Sequence, residues 1–142
     1  MVLVLVVLPA VSHSTIQWSS LPLEVFNGHP CAFLWNGAVY VFGDDGISPP
    51  TQPIWRYDPA TGTWSAKAAP PIPVAAPVVA VVGDKAYVVG GSDEVVNTPL
   101  ANVLVYDIPG DTWSTGPPLP EGSDYDVAAA VERLRRRRSI GV

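Results

Sequence analysis

The sequence predicts an all-β chain built from two tandem repeats of short antiparallel strands. Three observations carry this. Gly and Pro number 12 and 16 of 142 residues, so long helices are interrupted across most of the chain. The apolar runs are short, β-branched and aromatic, as in Ala38-Val-Tyr-Val-Phe42 and Ala86-Tyr-Val-Val89. The landmarks of residues 31–73 also return within residues 74–120.

The repeat sets the register of every element. Tyr40 and Gly43 fall on Tyr87 and Gly90 at an offset of 47. Tyr57-Asp-x₅-Trp64-Ser65 falls on Tyr106-Asp-x₅-Trp113-Ser114 at an offset of 49. Both copies then run into proline, at Pro70-Pro-Ile-Pro73 and Pro117-Pro-Leu-Pro120. Gln17-Trp18-Ser-Ser-Leu-Pro22 resembles the end of a third copy.

Strands of the first repeat are expected near 31–35, 38–43, 54–58 and 63–66. Those of the second are expected near 77–82, 85–90, 102–107 and 112–115. Asn36-Gly37 and Gly83-Asp84 lie between apolar runs and read as tight hairpin turns. Ala60-Thr-Gly62 and Pro109-Gly-Asp111 read as turns between the Tyr and Trp strands. The strands are apolar on both faces, which suits sheets stacked face to face. Two longer connections remain, about 44–53 and 91–101.

A period near 50 with a Gly pair, a Tyr and a Trp at fixed offsets resembles the kelch repeat. The matching residues are Gly90-Gly91, Tyr106 and Trp113, with Tyr40, Gly43, Tyr57, Trp64 and Tyr87 as counterparts. Gly43-Asp44 departs from the Gly-Gly pair in the first copy. The resemblance covers about residues 15–131 and implies four-stranded blades of a β-propeller. Propellers usually close with roughly four to eight blades, so an incomplete propeller of about two blades plus flanking strands is expected. Further blades, or self-association, would be needed to close the ring.

The implied organisation follows. Residues 1–14 read as a signal peptide or a stray strand, and 15–30 as the outer strand of a preceding or closing blade. Residues 31–73 and 74–120 are the two kelch blades. Residues 121–132 begin a third, and 133–142 form an Arg-rich tail. A signal peptide would make the chain secreted or periplasmic; otherwise it is cytoplasmic.

Composition narrows the function. Cys31 is the one cysteine, which excludes a disulfide framework or a two-Cys zinc site within the chain. The longest wholly apolar run, Val2–Leu8, is far short of the ~18 residues of a membrane span. Residues 1–132 hold thirteen acids and three bases, so nucleic acid is not an expected partner. Arg135–Arg138 reads as a solvated terminus. No phosphate-loop, nucleophile-elbow or His-rich metal motif occurs, and no cofactor or metal is expected.

Tyr57, Trp64, Tyr106 and Trp113 read as core, because aromatics repeated at one register pack between sheets. Asp44, Asp45, Asp93, Glu94 and Asn97 lie in the long connections. Loops on a rigid scaffold are where binding residues concentrate. The resemblance therefore implies a non-catalytic module binding a protein partner through its rim loops. It also admits part of a secreted or periplasmic sugar-acting propeller enzyme, similar to galactose oxidase or a sialic acid mutarotase. The metal ligands of such oxidases come from several distant blades, most of which this chain does not span.

Overall fold

The computed structural model describes residues 3–4, 19–20, 29–43, 53–93 and 98–123. Asp44, Asp45, Glu94, Asn97, the expected start of a third blade beyond 123 and the Arg-rich tail lie outside them. Twelve strands are described. β1 (Leu3–Val4) pairs antiparallel with β2 (Ser19–Ser20), Leu3 opposite Ser20.

The first four-stranded sheet is β3 (Cys31–Trp35), β4 (Ala38–Phe42), β5 (Trp55–Asp58) and β6 (Thr63–Ala66), in the spatial order β3-β4-β5-β6. The second contains β7 (Val78–Val82), β8 (Lys85–Val89), β11 (Val103–Asp107) and β12 (Thr112–Thr115) in the same antiparallel meander. Each strand lies within about a residue of its expected bounds. The turn chemistry explains why. Asn36 and Gly37 both have positive φ (46° and 76°), as a two-residue hairpin whose twist matches its strands requires. Asp58 accepts a hydrogen bond from the Ala60 amide (3.0 Å), closing an Asx turn, and Asp107 accepts one from the Gly110 amide (2.9 Å) three residues on.

The connection 91–101 is not plain loop. Ser92–Asp93 (β9) pairs with Thr98–Pro99 (β10) as a separate two-stranded sheet beside the second large one. No β-branched run announced it, and its pairing depends on a rim already built beneath it.

Register assigns each side chain to a face. In the first sheet Cys31, Phe33 and Trp35 stand opposite Phe42, Tyr40 and Ala38. This trailing face packs on the leading face of the second sheet, which carries Ala86, Val88, Leu104 and Tyr106. The result is one shared core, closed by Ile54, Val74 and Ile108. Within it Phe33 stacks on Tyr40 at 4.9 Å, and Phe42 meets Trp113 edge-on at 6.3 Å. The inner strands β3 and β7 lie side by side.

The chain linking the two sheets is stitched to the rim. Ala75 and Ser92 exchange both backbone hydrogen bonds (3.0 and 2.8 Å), and the Ala76 amide donates to the His29 carbonyl at 3.1 Å. Gly90 and Gly91 have φ of 64° and 89°. A Cβ on Gly91 would sit 2.5 Å from the Ala75 carbonyl oxygen, so side-chain-free backbone is required where the rim passes the link. Ala76 holds the same left-handed region without being glycine, at φ 48°.

Two stability outcomes follow, measured by urea unfolding. Ala76→Gly should stabilise the chain by about 1 kcal/mol, since the left-handed conformation costs alanine about that much. Gly91→Ala should destabilise it by about 2–4 kcal/mol through steric conflict and strain.

Candidate functional site

The two blades are joined by a clamp on one peptide segment, Lys67–Ala68, where the chain leaves β6. The indole N–H of Trp113 donates to the Ala68 carbonyl at 3.0 Å. The Ala68 amide donates to Asp111 Oδ1 at 2.8 Å. The same oxygen accepts from the Tyr106 hydroxyl at 2.6 Å, and Lys67 Nζ lies 3.9 Å from Asp111 Oδ2. Both backbone groups of Ala68 are thus held by one blade's Tyr–Trp hairpin.

Electrostatics keep the clamp in its bonding state. Burial pushes the Tyr106 hydroxyl above its ordinary range, and the hydrogen bond to Asp111 pushes it the same way. Tyr106 therefore remains a donor. Partial burial alone would raise the Asp111 carboxyl. The hydrogen bonds from Tyr106 and Ala68, with the Lys67 charge, outweigh it and hold the group below the usual carboxylate range.

The first blade repeats the aromatic geometry but not the clamp. Tyr57 and Trp64 lie 4.9 Å apart, as do Tyr106 and Trp113. Gly62 stands where the second blade has Asp111, both with positive φ (68° and 51°). The buried indole nitrogens of Trp55 and Trp64 have no hydrogen-bond partner.

The rim lies at the opposite end of the sheets from this clamp's turn. The β9–β10 hairpin is held at its base by Leu100 N–H donating to the Gly91 carbonyl (2.8 Å) and Gly91 N–H donating to the Ser123 carbonyl (2.9 Å). Thr98 and Pro99 are exposed, and Asp93 is half-buried at the hairpin's first strand. Of the five acidic and amide rim residues singled out in the sequence, Asp93 alone is among the described residues. Tyr40 and Tyr106 are buried, Tyr57, Tyr87, Trp64 and Trp113 half-buried, and Gly43, Gly90 and Gly91 line the rim end of the sheets. Asp111 and Ala68 carry no sequence motif that links them.

Among the described residues no three His, Cys, Asp or Glu side chains converge to hold a metal ion. Nor, among the described residues, is any helix long and apolar enough to cross a membrane. Burial pushes the Cys31 thiol well above its ordinary range, which leaves negligible thiolate.

Comparison with known proteins bears on the same residues. The kelch motif family matches residues 73–120, which hold the clamp hairpin and the rim. The chain is a kelch-repeat protein. The kelch-like protein terF of Aspergillus terreus is 34% identical over 131 residues, covering 81% of this chain and 28% of that protein. An F-box/kelch-repeat protein of Arabidopsis thaliana is 34% identical over 87 residues, covering 60% of this chain and 18% of that one. The chain thus spans less than a third of either curated relative. The solved structure of YjhT shares the kelch-type propeller fold, with a TM-score of 0.59 at 21% identity, covering 71% of this chain and 30% of that one.

Equivalent kelch tryptophans should respond differently to the same substitution in denaturant unfolding. Trp113→Phe removes a satisfied donor and should cost about 0.5–1.5 kcal/mol, whereas Trp64→Phe removes an unsatisfied one and should be near neutral or stabilising. The Asp111 carboxyl binds its proton less readily folded than unfolded. Its contribution is therefore complete above the unfolded value near 4 and lost as pH falls through the lower folded one. Asp111→Asn should flatten that acid limb in thermal melts taken below about pH 4. Alkylation of Cys31 at neutral pH should be slow in the native chain and fast in denaturant.

Proposed function

We propose that this kelch chain is a non-catalytic protein-interaction platform that works through its rim connections, as part of a longer propeller. Residues 31–73 and 74–120 act as its two blades, flanked by an outer strand within 15–30 and the start of another blade at 121–132. The observation that carries this reading is the β9–β10 hairpin. The repeated aromatics and glycines are absorbed by packing and backbone geometry, while this hairpin belongs to a rim tied down by backbone hydrogen bonds. A base held by backbone hydrogen bonds beside the exposed Thr98 and Pro99 lowers the ordering cost of recognition. The limited span of the chain against its relatives supports further blades.

The test is cross-linking mass spectrometry of the wild-type chain against two rim variants. One combines Asp93→Ala with Gly-Ser in place of residues 94–97. The other is Asp44→Ala with Asp45→Ala. A protein cross-linked to wild type and lost from either variant, at unchanged melting temperature, is the expected result. An identical set of cross-linked proteins for all three chains would overturn the proposal.

A further inference from the structure

The inner hairpin tips of the two blades differ in chemistry. Gly83-Asp84 joins β7 to β8 and is followed by Lys85, whereas Asn36-Gly37 joins β3 to β4. Asn36 and Gly37 are both exposed, and a Cβ built on Gly37 would meet nothing within 4 Å. The peptide nitrogen after Asn36 therefore has no side chain of its own residue to shield it. That nitrogen and the Asn36 carboxamide carbon are the two ends that close a five-membered ring. The other carboxamide among the described residues, Asn102, differs on each count. Its side-chain nitrogen and oxygen are buried, and Val103 follows it. A two-residue tip is also where a hairpin opens locally at least cost.

We propose that Asn36-Gly37 is a self-modifying turn: it deamidates in the folded chain, and its isoaspartate product unlocks the inner hairpin of the first blade. The Gly37 nitrogen attacks Asn36 Cγ and a C–N bond forms. The carboxamide C–N bond breaks, and ammonia leaves with the proton from Gly37. Water then opens the cyclic imide. Opening at the side-chain carbonyl gives aspartate. Opening at the main-chain carbonyl gives isoaspartate, whose backbone runs through Cβ and is one methylene longer. The φ values of 46° and 76° that match this turn to its strands belong to two ordinary residues. A register set by so short a turn has no room for an added backbone atom. The closure of Trp35 on Ala38 breaks, and the slack reaches Phe33 opposite Tyr40, whose rings stack at 4.9 Å in the shared core. The second blade is spared, because Asp84 has no ammonia to release and Lys85 shields the nitrogen after it.

The test ages the full chain in mild alkali, which helps remove the Gly37 N–H proton, and follows two quantities with time. Peptide mass spectrometry with electron-transfer fragmentation reads the conversion of Asn36 and separates isoaspartate from aspartate. Thermal unfolding reads stability. Asn36→Gly is the control, since Gly-Gly suits the same turn and holds no amide to lose. It keeps every other labile site, including Asn27-Gly28, which lies outside the described residues. The expected result is isoaspartate at residue 36 while Asn102 keeps its amide, with a melting temperature that falls in step in wild type and holds in Asn36→Gly. The mass reading needs wild type alone, so it stands whatever the variant does. An Asn36 that keeps its amide, or a wild-type melting temperature that falls no further than that of Asn36→Gly, would overturn the proposal.

Discussion

A four-stranded sheet with apolar side chains on both faces cannot stand alone in water, and the burial of one such face on the next organises this chain. Tyr40, Phe42 and Phe33 on the first sheet and Ala86, Val88, Leu104 and Tyr106 on the second are each nearly fully withdrawn from solvent. The core therefore lies between sheets, and neither sheet has one of its own. Full burial of a large apolar side chain contributes about 1.5–3 kcal/mol. This shared layer is the main term opposing the chain entropy of ordering both blades.

Apolar packing by itself does not fix how two sheets sit relative to each other. The clamp on Ala68 does, because hydrogen bonds are directional. Trp113 and Asp111 hold the two backbone groups of one residue, and Tyr106 orients the carboxylate that does half of this work. At the far end the link through Ala75 and Ala76 ties the rim of the second blade and the entrance of the first to one backbone segment. The blades are thus pinned at both ends, with the apolar layer between the pins. That rigidity gives the exposed rim hairpin a fixed position.

Much of this was legible in the residues. Asn36-Gly37, Gly83-Asp84 and the paired Tyr-Asp-x₅-Trp-Ser segments set strand ends and register because turn conformation is a local property of one or two residues. Continuous apolarity in β4 announced a strand covered on both sides. The β9–β10 hairpin was not legible. Asp93 and Pro99 are poor strand formers and Thr98 is a single β-branched residue, and the two segments pair above the bond between Gly91 and Leu100. Ala76 gave no signal either, since alanine favours the right-handed region and only the rim holds it in the left.

The sequence alone determined the all-β class, the two repeats and the bounds of the eight strands that build the two large sheets. These follow from side-chain alternation and turn chemistry acting over a few residues. Only the tertiary structure decided that Asp111 clamps Ala68, 43 residues away, while Gly62 at the same point of the first repeat clamps nothing. It also decided that Trp113 finds an acceptor and Trp64 does not. Each depends on what a neighbouring sheet places within bonding or packing distance, and residues so far apart in sequence meet only when the blades have docked.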